Sequence, residues 1–524
     1  MVNREAARYD TQMLSEPIRE LLERVDSAEQ ARDSTTAEQM MEGTTVFAKA
    51  ASVYEKIRYL IDYREEHTIR RAALERILKR RVFIEGQAES GLVLLQELVD
   101  GKYIPKELAT EEAARDIDGI IYKFLELRRL AGSGVGRRIL SFAATEIDSR
   151  ISPLDYAIDH ATAEALYKTM HGHVSAYGYG QEEVNQQLYA AAWRSLLSAD
   201  NERLAYALWL LYVPEWKDPN PDLSALAARL ASVLAEIKNA VAHPLQWQIG
   251  PRIKNESIYF RIIREVLQVR RGTGERILQS PVELDNHTRD FLEKKYEKEN
   301  ERIQKSGIRA VLYLFFTKMV VALIAELPYE LFVLGGVHVF PLTVNILFHP
   351  ALLFALTRRV GALDEKNTAA IIEGLHAVLY EGKVRTVRIR SNYSNLSLAF
   401  GFAYLLLFFI VFGGVIGILQ LLGFNPVSIV LFLFFLALVS YFAFRIRYQA
   451  RRWKVIKSEG AISVVGNMLA VPIVRTGRYL SQTFSSINVF VLILDFIIET
   501  PFKRLLNFSN QFLLYLREKS DELR

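Results

Sequence analysis

Residues 308–444 hold four apolar stretches, and every lysine and arginine flanking them falls on the same side of a chain threaded back and forth. Residues 308–327 and 337–356 are 20 residues each, which at 1.5 Å per helical residue is about 30 Å, the thickness of a bilayer's hydrocarbon core. Gly335 and Gly336 stand where two antiparallel helices need a tight reversal. Residues 396–422 and 427–444 follow, separated only by Gly423, Phe424, Asn425 and Pro426. Gly423 suits the end of one helix and Pro426 the first position of the next. Arg302, Lys305 and Arg309 precede the first stretch, and a basic run from Arg358 to Arg390 follows the second. Arg445, Arg447, Arg451, Arg452, Lys454 and Lys457 follow the fourth, and neither hairpin tip carries Lys or Arg. Basic residues near helix ends are retained on the cytoplasmic side. The pattern therefore predicts four transmembrane helices in two hairpins, tips outward and both termini in the cytoplasm. Trp453, inside the basic run, suits the headgroup level of the inner face.

The two halves of the chain differ in charge. Residues 1–300 hold 41 Lys+Arg against 47 Asp+Glu, and the remainder 24 against 13, so the chain's net +5 belongs to the apolar half. Attraction to the anionic inner-leaflet lipids explains that excess, and an acidic amino-terminal half without an aromatic-laced basic groove excludes nucleic acid as a partner. With no cysteine in 524 residues, disulfides, thiolate metal sites and a cysteine nucleophile are excluded. The opening MVNREAARYD lacks the apolar core of a signal peptide, so residues 1–283 are expected to stay in the cytoplasm.

Those residues read as an all-α bundle, with breaks at Gly86, Pro105, Gly132 to Gly136, Pro153, Tyr177 to Gly180, and Pro214 to Pro221. Pro105, followed by Glu107, Glu111 and Glu112 and closed by Arg128, Arg129 and Gly132, has the signals of a helix start and stop. From Asn255 to Arg271, Ile258, Ile262, Val266 and Val269 form one apolar stripe ended by Gly272. Residues 284–307 are densely charged with a thin seam of Leu292, Tyr296 and Ile303, a helical stalk or a short coiled coil that dimerises the protein. The domains predicted are therefore a helical unit over 1–283, the stalk over 284–307 and a first hairpin over 308–357. A cytosolic loop over 358–395, a second hairpin over 396–444 and a tail over 445–524 complete the chain.

Several patterns fall short of a chemical site. The Gly132 to Gly136 run lacks the strand before it and the Gly-Lys-Ser/Thr after it that a phosphate loop requires. His160, His171 and His173, near Asp159 and Glu164, lack the convergent spacing of metal ligands and read as surface or capping residues. Arg70, Arg71, Arg76, Lys79, Arg80 and Arg81 read as a solvated helix face or a contact with anionic headgroups. No cofactor, metal or catalytic residue is assigned, and the chain does not read as an enzyme.

The first hairpin is not uniformly apolar. Lys318 and Asn345 sit mid-span, with Glu326, Glu330, His338 and His349 nearer the ends. A lysine at a helix centre costs about 2.5–3.5 kcal/mol on insertion scales, so it needs a partner or a wet cavity. Either Lys318, Glu326, Asn345 and His349 line a polar track, or Lys318 snorkels or pairs with Asn345 or a carbonyl and only fixes packing. Glu326, about 12 Å along the axis from Lys318, reads as too distant for direct contact. The second hairpin has no ionisable residue and reads as pure anchor.

After Lys457 the chain turns amphipathic, with Ile462, Val465, Leu469 and Ile473 on one face. Residues 487–498 are apolar but too short to span, and Phe502, Leu505, Leu506, Leu513 and Leu516 mark a last helix; both suit the membrane surface. Thr317 to Phe354 and Ser486 to Lys503 resemble segments of uncharacterised bacterial multi-pass membrane proteins. The resemblance implies a bacterial cytoplasmic (inner) membrane and carries no activity. The expectation is a membrane-anchored helical interaction or scaffold protein that binds another protein through residues 1–283, with homo-oligomers possible. The alternative is a small solute or ion transporter or channel using the polar residues of the first hairpin.

Overall fold

The computed structural model describes residues 14–33, 66–80, 91–269, 272–358, 365–390, 394–450, 453–456 and 461–486. They are almost entirely helical. The chain divides into two units, one of Met1–Leu292 with Glu365–Ser391, the other of Glu293–Asp364 with Asn392–Arg524.

In the first unit, local sequence sets the helix limits. Thr110 caps Glu111–Ala131, its side chain accepting from the Ala113 amide at 3.1 Å, and Gly132 at φ +86° ends it. The helix start thus lies beyond Pro105, which precedes only a 3-10 turn at Lys106–Leu108. Asp200 and Asp222 cap Asn201–Tyr212 and Leu223–Ala242 in the same way, satisfying amides that a helix start leaves open. Lys254–Val269 buries Ile258, Ile262 and Val266 as the stripe predicts, while Val269 is exposed. An aromatic chain fills the core: Phe124 to Trp216 at 4.6 Å, Trp216 to Trp209 at 5.4 Å, Trp209 to Phe142 at 5.4 Å between ring centroids.

Three sequence expectations change here. Residues 365–390, expected as loop, are folded into this unit. Glu365–Leu379 is a helix packed on Lys254–Val269, and Val387–Ile389 pairs in parallel with Val174–Ala176, Val174 opposite Val387. Ser15 donates its amide to the Leu379 carbonyl at 2.7 Å, and Tyr380 donates its hydroxyl to the Leu278 carbonyl at 2.9 Å. Of the basic cluster, three members are held in ion pairs within this unit, Arg70 with Asp148, Arg71 with Glu75 and Asp200, and Arg80 with Glu97; Arg81 lies outside the described residues. His160 is partly buried, 5.7 Å from the Trp193 ring, and Asp159 is buried beneath Arg203, Arg264 and Gln268. Burial alone would raise the Asp159 carboxyl, but the charges and hydrogen bonds of Arg264 and Arg203 outweigh it and hold it below the ordinary carboxylate range.

The stalk is the first part of one helix, Pro281–Val321, whose seam residues Leu292 and Ile303 are buried. Within the second unit the helical path does not stop at Leu327. It runs on through a π turn at Ala322–Glu326, a short α segment at Leu327–Tyr329 and a second π turn at Glu330–Leu334, and ends at Gly335, φ +71°. Pro328 explains the irregularity, because it has no amide to give to the turn before it. Val339–Arg358, Ser394–Leu421 and Pro426–Ala450 follow, with Gly423 at φ +77° between the last two. Four helices are thus long and apolar enough to cross a bilayer: Pro281–Leu334, Val339–Thr357, Phe400–Leu421 and Pro426–Ile446.

The second of these packs on the fourth. The fourth packs more extensively on Ala461–Ser486 than on the third. That closeness requires Gly477, where any Cβ would overlap the Ala437 carbonyl oxygen. The tail's first helix, expected along a membrane surface, therefore lies against two of the apolar helices. Residues 487–498 and the last helix expected after them lie outside the described residues. Trp453 is buried, with the Lys295 ammonium 5.8 Å from its ring centroid.

Candidate functional site

The polar residues of the first, second and fourth apolar helices meet in one ladder. At one end Glu330 accepts hydrogen bonds on both oxygens, from Asn425 Nδ2 at 3.0 Å and from the His338 amide at 2.8 Å. Asn425 at the same time caps its own helix, its Oδ1 accepting from the Ser428 amide at 2.8 Å. One turn further, Glu326 Oε1 accepts from Asn345 Nδ2 at 2.8 Å and from the Ser428 hydroxyl, while Asn345 Nδ2 also reaches the Ser428 carbonyl at 3.3 Å. Next, His349 holds its ring nitrogens 3.2 Å from the Asn345 carbonyl and 2.9 Å from the Phe432 carbonyl. Last comes Lys318, its ammonium 4.1 Å from the centroid of the Phe435 ring.

The rungs on the fourth helix, Asn425, Ser428, Phe432 and Phe435, recur at spacings of three, four and three. Such residues share one helix face, and ten residues of rise make the ladder about 15 Å long, half of a hydrocarbon core. Lys318, Glu326, Glu330, Asn345, His349 and Ser428 are all at most 1 % exposed, so the ladder is closed to its surroundings.

The first helix reaches all rungs because of its π turn. In a regular α-helix, eight positions would leave Lys318 and Glu326 about 80° apart around the axis; absorbing one extra residue cuts that to about 20°. No ion pair or hydrogen bond joins Lys318 to Glu326, in keeping with the separation expected, and Glu326 acts on the Lys318 ammonium through its charge alone.

All four residues expected for a polar track are thus in one cluster, but the pairing differs. Asn345 bonds Glu326, and Lys318 neither snorkels nor hydrogen-bonds Asn345: its Nζ is buried without a hydrogen-bond partner. Glu326 Oε2 and Asn345 Oδ1 are in the same condition. Residues 396–444, expected to act only as anchor, supply Asn425, Ser428 and the Phe432 carbonyl to the ladder. Asn425 stands in the sequence as a turn residue between two apolar stretches. Its three-residue spacing to Ser428, continued by Phe432, was the available signal. The third helix contributes no hydrogen bond to the ladder among the described residues, and most of its surface is uncovered.

Chemically, the ladder offers two carboxylates, an ammonium and an imidazole in an environment where a bare charge is costly. Among the described residues no group of His, Cys, Asp and Glu is arranged to hold a metal ion through three such side chains. Comparison of the chain with family models, curated proteins and solved structures returned no match.

Proposed function

We propose that the chain is a multi-pass protein of a bacterial cytoplasmic membrane, with its helical unit and both termini in the cytoplasm, and that the polar ladder moves a small ion or polar solute. The observation that carries the reading is Glu326: a wholly buried carboxylate held by Asn345 and Ser428 from two other apolar helices. Ionisable groups inside apolar helices are expensive, and where they persist they mark ion and substrate paths.

The threading is supported by the way the first unit is built from two stretches of chain. Residues up to Leu292 and residues 365–391 share one compact body, so the intervening segment leaves and returns on one side, an even number of crossings. Two of the four long apolar helices lie in it. Uncovered apolar side chains such as Phe332, Phe400, Phe402 and Leu421 suit lipid as their neighbour, and the basic flanks suit an anionic inner leaflet.

The test is cation flux in proteoliposomes of the full chain, read by an entrapped pH-sensitive dye and by uptake of radioactive sodium. Flux above protein-free vesicles, lost in Glu326→Gln, is expected. Equal flux for the wild type and Glu326→Gln would overturn the reading.

A second reading, a scaffold that binds another protein through residues 1–283, is favoured by one surface of the helical unit. Tyr177 and Trp247 are 76 % and 61 % exposed, Arg194 lies 4.6 Å from the Trp247 ring, and Tyr179 stacks edge-on to His243. Trp, Tyr and Arg are the residues most often found at binding hot spots. A partner that co-purifies with the wild type and is lost with Trp247→Ala would favour this role.

A further inference from the structure

We propose that Glu326 and Asn345 form a binding site for one small monovalent cation, and that Lys318 is a tethered competitor for the same oxygens. The inference rests on the transport reading and names the species that the ladder takes.

Three buried atoms lack a hydrogen-bond partner in this cluster: Glu326 Oε2, Asn345 Oδ1 and Lys318 Nζ. The first two are acceptors and the third is a donor bearing charge. The orientation of the Asn345 amide is fixed by its surroundings. Its Nδ2 faces two acceptors, Glu326 Oε1 at 2.8 Å and the Ser428 carbonyl at 3.3 Å, so a flip would set oxygen against oxygen. Asn345 Oδ1 is therefore left as an acceptor beside a carboxylate whose other oxygen is already engaged. A pair of lone-pair-bearing oxygens closed off from solvent calls for a cation or a hydrogen-bond donor.

The charge is set by the rung. Glu326 is its one carboxylate, because both oxygens of Glu330 are taken by Asn425 and the His338 amide. A single carboxylate balances a single positive charge, whereas a divalent ion such as calcium seeks six to eight oxygens. Lys318 supplies such a charge from within. Its ammonium rests over the Phe435 ring, an attraction that falls short of the cost of burying an unpaired charge, and Glu326 is the carboxylate whose charge acts on it. A flexible four-carbon stem allows the ammonium two positions, over the ring or on the free oxygens. A free cation and Lys318 cannot hold those oxygens together, so entry of one displaces the other.

The experiment is thermal unfolding of the full-length protein in detergent, with sodium chloride exchanged for choline chloride at constant ionic strength, across pH 6 to 8. Wild type should gain stability saturably with sodium. Lys318→Met, which removes the competitor, should reach half-saturation at a sodium concentration at least tenfold lower, and Glu326→Gln should show no response. If Lys318→Met does not fold, saturable binding of radioactive sodium to wild type and its loss in Glu326→Gln carry the test. A sodium response unchanged by Glu326→Gln overturns the proposal, as does an identical half-saturation in wild type and Lys318→Met. A response to pH with none to sodium means that the site takes a proton only, and overturns it too. Should sodium bind as described while no flux is found, the site stands and transport falls. Should flux be found without sodium binding, transport stands and this cation does not.

Discussion

His160 lies in the helix Pro153–Met170, outside the apolar helices. Packed against Trp193 and Tyr156, its imidazole is pushed by burial down to about 4, against the weaker upward pull of Glu164. The neutral ring is thus the form the fold accepts. The stability it contributes is complete above the unfolded value near 6.5 and is lost as pH falls from about 6.5 toward 4. Unfolding followed by tryptophan fluorescence should show a loss approaching 1.4 kcal/mol per pH unit in that interval, and His160→Gln should flatten it. A wild type whose stability is level between pH 6.5 and pH 4.5 would contradict the burial argument.

Among the elements, the helix Ala461–Ser486 shows how one missing side chain sets a contact. Gly477 faces the Ala437 carbonyl and the Tyr441 side chain of Pro426–Ala450, and the glycine allows the two backbones to approach as small residues do between apolar helices. Gly477→Ala has backbone in the way of its new methyl, so the helices must part. Overpacking of this kind costs about 1–3 kcal/mol. The expected outcome is a lower melting temperature in detergent, together with protease cleavage in residues 461–486 that the wild type resists. Normal melting in Gly477→Ala would show that this contact does not hold the helix. The same scale explains Pro328: its missing amide sits between two π turns, and the first of them turns Glu326 toward the side of the helix that carries Lys318.

For the whole molecule, the two-stretch construction of the helical unit constrains how any membrane is crossed. The absence of cysteine from the chain makes this open to direct measurement with single introduced cysteines. Gly336→Cys and Leu421→Cys should react with a membrane-impermeant maleimide added to intact spheroplasts, and Glu373→Cys only after permeabilisation. Labelling of Glu373→Cys from outside would reverse the threading, and with it the assignment of the helical unit to the cytoplasm. Labelling of both tips from inside alone would do the same.

The apolar helices were legible from the chain because hydrophobic length and the placement of charge are local and additive. Gly335, Gly423 and Pro426 mark the turns where they were expected, because a left-handed turn and a missing amide admit few residue types. Lys318, Glu326, Asn345 and His349 were legible as candidates for the same reason, since a polar side chain in an apolar stretch stands out. Their pairing was not legible. The π turn at Ala322–Glu326 changes the azimuth of Glu326 relative to Lys318, and Ser428 and Asn425 reach their partners Asn345 and Glu330 across 83 and 95 residues of chain. Nor could the short run Val387–Ile389 announce its partner, Val174–Ala176, since three residues carry too little periodicity to specify a strand. Composition along the chain decides which segments avoid water, but which buried polar atom meets which is decided by helices packing across long sequence separations.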